Sequence, residues 1–588
     1  MAVKRNYPVH NADIARIFEE IADLLEIQGA NPFRIRAYRN AARTVGELQF
    51  DIAAVLAEGK ELPKLPGIGE DLAAKLHEIA STGTAALLDR LRRELPPAIS
   101  ELLRIPGLGP KRVKHLHDEL DIRTLEQLYK AAQDGRIRAL AGFGAKTEAN
   151  ILASVEAHLT KKRRFKLAVA AQYAEPLAAY LRAGRAGDEV VIAGSYRRMK
   201  ETVGDIDILV ATDDAPAAME RFLHYPEVKD VLASGSTRAS VTLASGLQVD
   251  LRAVPRESFG AALHYFTGSK AHNIAIRRIA QERGLKLNEY GAFARAGRGE
   301  KRVAGETEVS VFEAVGLPFI PPELREDAGE IEAARRGELP QLVELRDLRG
   351  DLHAHTRATD GRNSLRDMAL AARERGLKYL AITEHSRRVA MAHGLDPVRL
   401  AKQIDEIDAL NRELDGITLL KGIEVDILDD GTLDLPDSIL GKLDLVVGAV
   451  HSKFNLTRAQ QTERILAAMD ARNFSILAHP TGRLLDTRPP YDVDMLRVVR
   501  KAKARGIALE LNAHPERLDL IDTHCRMAKD EGVPVAINSD AHSTHDFDQL
   551  RFGVGQARRG WLTAADVLNT RPLAELRRFL ARTMNRSA

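Results

Sequence analysis

The chain has 588 residues, of which 45% are hydrophobic and 29% charged, and this excludes both a single compact core and a largely disordered protein. Its one cysteine, Cys525, excludes intramolecular disulfide bonds and zinc clusters held by thiolates. The first residues lack the apolar run of a signal peptide, and no segment has the length and hydropathy of a membrane span. We therefore expect a soluble cytoplasmic protein of several domains without a membrane partner.

The net charge is only +3, but it is unevenly distributed along the chain. Residues 1–200 carry an excess of Lys and Arg, residues 201–450 an excess of Asp and Glu, and the remainder is again basic. A basic front favours a polyanionic partner, and an acidic middle favours carboxylates gathered around metal ions. Charges that only solvate the surface are the alternative.

Apolar residues at spacings of three and four predict a helical region from Asn11 to about Thr160. Inside this region a glycine pattern recurs three times, each time before an apparent helix. The three copies are Gly67-Ile68-Gly69, Gly107-Leu108-Gly109 and Gly142-Phe143-Gly144. A Gly-x-Gly turn between helices directs amide groups outward at a helix N-terminus, where they can hold a phosphate oxygen. A plain turn between helices is the alternative.

Strand-like segments begin after the basic stretch 161–164. Asp205 and Asp207 lie two apart in an apolar run, so their carboxylates project from one face of a sheet. Asp250, in a second strand-like run, supplies a third carboxylate, and three carboxylates suit two magnesium ions about 3.5–4 Å apart. Ser195 and Arg198 stand upstream as hydroxyl and guanidinium donors for phosphate. Isolated aspartates at strand ends are the alternative.

These residues belong to ordered motifs that resemble those of the family X DNA polymerases. The motifs are Gly194-Ser195-Tyr196-Arg197-Arg198, Gly204-Asp205-Ile206-Asp207, Asp250 and Tyr265-Phe266-Thr267-Gly268-Ser269. The resemblance extends from near the N-terminus to about Pro322 and includes the glycine turns, which are similar to helix-hairpin-helix motifs that grip the DNA backbone. It implies a repair polymerase that fills short gaps, with gapped or primer-template DNA and deoxynucleoside triphosphates as partners.

The resemblance also implies a role for each residue of the motifs. Asp205 and Asp207 would bind two Mg²⁺ or Mn²⁺ ions, and Asp250 would bind the ion beside the primer 3′-hydroxyl. The nucleotide-binding residues would be Ser195, Arg198 and Gly204 at the triphosphate, Tyr265, Phe266 and Gly268 at the sugar, Asn273 at the base edge and Arg277 near the template strand. For Asn273 and Arg277, one helical turn apart, a solvated helix face is the alternative.

Lys75 follows the first glycine turn, at a position where the related front domain uses a lysine to remove a 5′-deoxyribose phosphate. That reaction forms a Schiff base and needs a neutral amine. A lysine that contacts a DNA phosphate is the alternative. In the same region Gly67, Gly69, Gly107 and Gly109 would contact DNA.

In the second half of the chain, short apolar strand-like runs alternate with helical segments. Histidines and carboxylates follow many of these runs. Strand ends meet at one rim of a βα barrel, and imidazoles with carboxylates suit zinc, manganese or iron. More ligands are present than one ion needs, which predicts two or three ions. The nine candidates are His353, His355, Asp360, His385, Glu424, His451, His479, Asp540 and His542.

This half, from about Arg349 to Pro572, resembles the polymerase and histidinol phosphatase (PHP) domain. The resemblance implies a distorted (β/α)₇ barrel with a trinuclear site, and all nine candidates match its ligand pattern. Zn²⁺ or Mn²⁺ is the expected metal, and hydrolysis of phosphate esters the expected reaction. The substrate is either a primer 3′ end, which gives a 3′→5′ exonuclease, or an abasic or blocked terminus.

The sequence thus predicts a multidomain α+β and α/β protein that acts as a monomer in a prokaryotic cytoplasm, associated with the nucleoid. We expect a helical DNA-binding domain (1–90), helix-hairpin-helix fingers (91–165), a nucleotidyltransferase palm (166–258), a thumb (259–322), a linker (323–348) and a PHP metallophosphoesterase domain (349–575). Two other functions are possible: a DNA-binding repair scaffold with weak catalysis, or a phosphoesterase of small esters with a vestigial polymerase. The three intact aspartates argue against both.

Overall fold

The computed structural model describes residues 9–584, except 47, 49, 58, 61, 64, 66, 96, 106, 107, 161–163, 186, 297 and 298. The predicted multidomain fold is confirmed: a helical front, a mixed sheet and a parallel barrel follow one another along the chain. None of the described helices is both long and apolar enough to cross a bilayer.

The front is helical, as the spacing of its apolar residues predicts. Its helices are α1 (Asn11–Ile27), α2 (Pro32–Gly46), α3 (Ile52–Ala57), α4 (Glu70–Thr82), α5 (Ala86–Glu94), α6 (Pro110–Leu120), α7 (Leu125–Gln133) and α8 (Ala145–Thr160), with a 3₁₀ helix at Pro97–Arg104. Ile14, Phe18 and Ile21 of α1 are completely buried in the shared core. His10 Nε2 lies 2.6 Å from Glu227 Oε1 and joins this front to the next domain.

A five-stranded mixed sheet follows, with strand order β2-β4-β7-β6-β5. Its elements are β1 (Phe165–Lys166), α9 (Leu167–Arg182), β2 (Glu189–Ile192), α10 (Gly194–Arg197), β3 (Thr202–Val203), β4 (Asp205–Ala211), α11 (Ala215–Leu223), β5 (Val228–Ser234), β6 (Arg238–Leu243) and β7 (Gln248–Val254). β4 and β7 are parallel, whereas the other neighbouring pairs are antiparallel. The parallel pair sets the ends of β4 and β7 side by side.

A smaller α+β unit comes next. It contains α12 (Phe259–Thr267), α13 (Lys270–Glu282), β8 (Leu285–Asn288), β9 (Gly291–Ala296), β10 (Gly299–Ala304) and α14 (Glu308–Ala314). Gly260 of α12 touches the backbone of Thr307, because a Cβ at position 260 would lie 2.0 Å from the carbonyl carbon of Thr307. The stretch 315–349 connects this unit to the barrel and contains α15 (Glu330–Arg336). Two of its charged residues, Arg325 and Glu330, are completely buried.

The C-terminal part is a parallel barrel surrounded by helices. Its elements are β11 (Gly350–Asp351), α16 (Leu365–Glu374), β12 (Tyr379–Ile382), α17 (Pro397–Asn411), β13 (Thr418–Lys421), β14 (Glu424–Asp426), α18 (Asp437–Leu440), β15 (Val447–Ala449), α19 (Arg458–Ala468), β16 (Ile476–Leu477), α20 (Met495–Arg505), β17 (Ala508–Asn512), α21 (Asp522–Glu531), β18 (Val535–Asn538), α22 (Leu550–Arg559) and α23 (Leu573–Thr583).

The barrel consists of two parallel sheets, β11-β12-β13 and β14-β15-β16-β17-β18. Bridges between His385 and Glu424 and between Ala354 and Ala541 join the sheets at both edges. Because β13 and β14 are two halves of one path interrupted at residues 422–423, seven strand positions surround the axis within the described part of this domain. The predicted (β/α)₇ architecture is therefore confirmed. Parallel strands that all run the same way bring their carboxyl ends to one rim.

Candidate active sites

The first candidate site lies on the parallel strand pair of the mixed sheet. Asp205 and Asp207 stand on β4, and Asp207 is directly paired with Asp250 on β7. Residues paired across parallel strands, and residues two apart on one strand, project from the same face. The structure therefore brings the three predicted carboxylates together.

Asp207 is partly buried between charged neighbours. Burial and the neighbouring carboxylates of Asp205 and Asp250 raise the pKa of Asp207 to about 7, against the opposing effect of Arg198 and Arg252. Gly194 makes room for this side chain: its φ is +62°, and a Cβ there would lie 2.3 Å from Asp207 Oδ2. Three carboxylates held this close repel one another, and their hard oxygen atoms are the donors that Mg²⁺ and Mn²⁺ prefer.

The predicted phosphate-binding residues border the same face. Ser195 lies in the single-turn helix α10, which begins at Gly194, and Arg198 follows its last residue. Gly204 lies between β3 and β4, immediately before Asp205. Arg198 Nη1 donates a hydrogen bond to the Thr267 carbonyl oxygen at 2.7 Å, which connects this loop to the end of α12.

The residues predicted at the sugar and base form one contact group at the junction of α12 and α13. The Tyr265 and Phe266 rings lie 5.1 Å apart edge to face. Asn273 Nδ2 donates to the Tyr265 carbonyl oxygen at 2.6 Å, and a Cβ at Gly268 would lie 2.5 Å from Asn273 Oδ1. Arg277 places its guanidinium 5.9 Å from the centre of the Tyr265 ring. These contacts connect Asn273 and Arg277 to Tyr265, so both belong to this group.

The N-terminal candidates lie in the helical front, away from the carboxylate strands. Gly69 and Gly109 are the N-caps of α4 and α6. A Cβ at Gly67, Gly69 or Gly109 would meet nothing within 4 Å, so these turns are open to a ligand. Gly107 lies outside the described residues. The ammonium group of Lys75 in α4 pairs with the carboxylate of Asp71, one turn earlier.

The second candidate site occupies the rim of the barrel. All nine predicted ligands lie at or just beyond the carboxyl ends of its strands. His353, His355 and Asp360 follow β11, His385 follows β12, Glu424 follows β13 and begins β14, His451 follows β15, His479 follows β16, and Asp540 and His542 follow β18. Because the barrel closes, residues separated by up to 189 positions in the chain meet in one place.

The ligand atoms form three overlapping groups, each within 4.8 Å. The groups are His355, Asp360, His385 and His542; His353, His355 and Asp540; and His385, Glu424 and His451. The ninth residue joins them through a contact of 2.9 Å between His479 Nε2 and Glu424 Oε1. His355 and His385 are each shared between two groups, which is the arrangement expected of a centre with more than one ion.

The chemistry of the donors fits metal ions. His353 Nε2 and both ring nitrogens of His355 are buried without a hydrogen-bond partner among the described residues. An orphaned buried polar atom costs about 1–3 kcal/mol, which coordination would remove. Burial and the neighbouring His542 and His385 lower the pKa of His355 to about 4.

Further residues, which the sequence analysis missed, hold these ligands in place. Glu510 Oε1 lies 2.7 Å from His353 Nδ1, and its other oxygen accepts a hydrogen bond from the His479 amide at 2.8 Å. Asp426 Oδ1 lies 3.3 Å from His451 Nδ1. The signal in the sequence is a carboxylate inside an apolar strand: Glu510 stands in β17, and Asp426 is two residues from Glu424.

Glu384 has a different function from that of a ligand. It accepts hydrogen bonds from the side chains of Thr356 and Thr359 and from Gln403 Nε2. These contacts fix the loop that carries His355 and Asp360. Glu384 therefore orients ligands through the backbone.

Comparisons with known proteins agree with this architecture. The sequence is 39% identical over 576 residues, 98% of this chain and the whole of the relative, to the Bacillus subtilis (strain 168) protein named DNA polymerase/3′-5′ exonuclease PolX. The chain belongs to the family X DNA polymerases that carry a C-terminal PHP domain. It matches five domain families: helix-hairpin-helix domain (9–85), SAM-like helix-hairpin-helix tandem (99–157), DNA polymerase beta palm (170–259), DNA polymerase beta thumb (262–326) and PHP domain (351–514).

Two other relatives match smaller parts of this family X chain. DNA polymerase lambda of Rattus norvegicus is 27% identical over 348 residues, which are 55% of this chain and 56% of that protein. A probable phosphatase of Thermoanaerobacter sp. (strain X514) is 28% identical over 234 residues, which are 37% of this chain and 89% of that protein.

The contact between Glu510 and His353 leads to a prediction about metal affinity. We expect Glu510→Gln to weaken Mn²⁺ binding at the barrel rim by about 10–100-fold, because the amide no longer holds the His353 ring in its ligand orientation. Titration of metal-free protein with Mn²⁺ measures this. Glu406→Gln, an exposed carboxylate in α17 of the same domain, is the control. Equal affinities of the two variants would contradict the role of Glu510.

Proposed function

We propose that this family X polymerase fills short gaps in DNA and that its PHP domain hydrolyses phosphate esters at DNA ends. The observation that carries the proposal is the meeting of Asp205, Asp207 and Asp250 on one face of the sheet, beside an arginine fixed at its border. The whole-length similarity to the Bacillus subtilis protein, whose name states both activities, supports the same conclusion.

At the polymerase site, Asp205 and Asp207 would hold two Mg²⁺ or Mn²⁺ ions and Asp250 would share the ion nearest the primer. When bound, such ions lower the pKa of a hydroxyl group and neutralise charge that develops on the phosphates. Gly194 admits the Asp207 carboxylate, and its position at the start of α10 directs backbone amides toward the phosphates. The two metals are interchangeable in this proposal, because oxygen ligands serve both.

The other residues would bind and orient the nucleotide. Ser195, Arg198 and Gly204 would hold the triphosphate through hydroxyl, guanidinium and amide donors, because charged donors give the strongest hydrogen bonds to phosphate. Tyr265, Phe266 and Gly268 would pack against the sugar. Asn273, connected to Tyr265 by a hydrogen bond of 2.6 Å, would meet the base edge, and Arg277 would approach the template strand.

The nine rim residues of the PHP domain would hold two or three Zn²⁺ or Mn²⁺ ions. Bound there, the ions supply an activated water for attack on phosphorus. The chain contributes the fixed ligand orientations, set by Glu510, Asp426 and Glu384, and a rim open to solvent at Asp360 and His542. A primer 3′ end is the substrate we propose, because the domain is fused to a polymerase that produces such ends. An abasic or blocked terminus has the same phosphodiester chemistry.

Gapped or primer-template DNA and deoxynucleoside triphosphates are the partners that this proposal requires. Gly67, Gly69 and Gly109 present open turns at helix N-termini, which suits contact with the DNA backbone and not with bases. Gly107, which lies outside the described residues, is proposed as a DNA contact from the sequence motif alone. Both catalytic sites are complete within one chain, so we propose that the enzyme acts as a monomer, in the cytoplasm and on nucleoid DNA.

For Lys75 we propose a phosphate contact and not a Schiff base. The ammonium group pairs with the Asp71 carboxylate, one turn earlier in α4. A charged amine attracts phosphate but is no nucleophile. The proposed role therefore assigns Lys75 to DNA binding.

The two sites are separable by substitution. We expect Asp250→Asn to reduce extension of a 5′-labelled primer on one-nucleotide-gapped DNA by at least about 10³-fold and to leave primer shortening without deoxynucleotides unchanged. His353→Ala should do the reverse. Asp213→Asn, an exposed carboxylate near the end of β4, is the control. Absence of extension by the wild type with either metal would overturn the polymerase proposal and favour the scaffold or the small-ester enzyme.

The Lys75 assignment has its own test. Lys75→Ala should lower the slope of log affinity for gapped DNA against log salt by about 0.9, the value for one lost phosphate contact. Wild-type protein should form no borohydride-trapped adduct with DNA that carries a 5′-deoxyribose phosphate. Lys402→Ala, in a helix of the PHP domain, is the control for the salt slope. A trapped adduct that Lys75→Ala abolishes would establish the Schiff base instead.

A further inference from the structure

The helix α22 of the PHP domain packs against the phosphate-binding loop of the polymerase palm. Arg559, the last residue of α22, is buried, and its Nη1 donates to the carbonyl oxygen of Arg198 at 3.0 Å. The same Nη1 lies 2.9 Å from Glu326 Oε1. We propose that Arg559 is a positioning residue for nucleotidyl transfer, which fixes Arg198 of the other domain for the incoming triphosphate. This inference rests on the proposed triphosphate contact of Arg198.

Glu326 is the shared partner that transmits the effect. Its Oε1 accepts hydrogen bonds from Arg559 and, at 3.0 Å, from Arg198 Nε, while the ammonium of Lys200 lies 3.8 Å away. Although burial acts in the opposite direction, Arg198, Arg559 and Lys200 keep the pKa of Glu326 below its usual value. Three cations together therefore balance the single negative charge of the Glu326 carboxylate, and Arg198 is only one of them.

The guanidinium of Arg198 is consequently held from two directions. Nε is fixed by Glu326, and Nη1 donates to the Thr267 carbonyl oxygen at 2.7 Å, between the predicted sugar contacts Phe266 and Gly268. A planar guanidinium with two fixed donors has a fixed orientation. Arg559 itself is anchored at 2.6 Å between Nη2 and Asp522 Oδ2 of α21.

Two further contacts connect the PHP domain to the loop that follows Ser195, one at Met199 and one at Glu201. Met199 has a φ of +54°, a conformation that favours glycine, and it packs on α22 so closely that a Cβ at Gly555 would lie 2.3 Å from Met199 Cε. Two residues further on, Glu201 accepts a hydrogen bond from Arg483 Nη2 of the PHP domain at 2.7 Å. The loop that follows Ser195 therefore rests on the C-terminal domain.

Loss of Arg559 should weaken the binding of the triphosphate, for two reasons. Without it, Glu326 is neutralised mainly by Arg198, so less of the Arg198 charge is available to the phosphates. The Arg198 carbonyl oxygen also loses its donor, which loosens the loop. Both changes weaken binding of the triphosphate, whereas Asp205, Asp207 and Asp250 stand on strands that Arg559 does not contact.

The test is the steady-state kinetics of one-nucleotide gap filling by full-length variants. We expect Arg559→Gln to raise the KM for the deoxynucleotide about tenfold and to change kcat by less than about twofold. Arg559→Lys should recover part of the loss, because one ammonium reaches fewer of the three acceptors than the guanidinium does. In a Glu326→Gln background the effect of Arg559→Gln should fall to about twofold or less, because the shared partner is already neutral.

Arg558→Gln is the matched control. Arg558 is the neighbour of Arg559 in α22, and its side chain also crosses the domain boundary, with Nε 2.7 Å from Glu323 Oε1. Its described hydrogen bonds and ion pairs include neither Arg198 nor Glu326. Phosphoesterase activity and the unfolding midpoint of Arg559→Gln should equal those of this control. If Arg559→Gln does not fold, Asp522→Asn removes the anchoring charge and should raise the same KM by a smaller factor.

Two failures remain distinguishable. If the wild type extends primers and Arg559→Gln has the same KM as Arg558→Gln, the positioning role is wrong and the proposed polymerase stands. A parallel rise in the KM of both variants, or a fall in kcat alone, would also overturn the positioning role. If the wild type extends no primer, the proposed function itself fails.

Discussion

Both halves of this protein depend on the same constraint, which is that ionisable groups gathered at the ends of parallel strands need a charge that the chain does not supply. In the palm, Asp207 is buried beside two further carboxylates, and its pKa rises to about 7 as a result. At the barrel rim, imidazole nitrogens of His353 and His355 are buried with no hydrogen-bond partner in the part of the chain that the structure describes. Divalent cations satisfy both arrangements, and the folds around them serve to keep the ligands converged.

The interface between the palm and the PHP domain is as much a part of the structure as the two sites. Phe552, Leu485 and Leu518 of the PHP domain belong to the same apolar cluster as the core of the palm. Arg559 donates to the Arg198 carbonyl oxygen and Arg483 donates to Glu201, so charged side chains of the PHP domain also reach the loop that follows Ser195. The palm and the PHP domain therefore share part of one apolar cluster.

The sequence predicts what depends on local spacing and fails where partners are distant. Asp205 and Asp207, or His353 and His355, are two residues apart, so strand geometry alone places each pair on one face. Glu510 was missed because nothing near it shows that it faces His353, 157 positions away. Arg559 and Glu326 were missed for the same reason, since one charged residue at a helix end resembles any solvated one until the domains are packed.

The most direct test of this account is the dependence of folding stability on divalent metal. Metal-free protein should unfold several degrees lower than protein with saturating Mn²⁺, because ligands that bind only the folded state stabilise it by mass action. His355→Ala, which removes a ligand shared by two groups, should lose most of this gain. Identical unfolding midpoints of the wild type with chelator and with Mn²⁺ would contradict the claim that the clustered ligands hold metal ions.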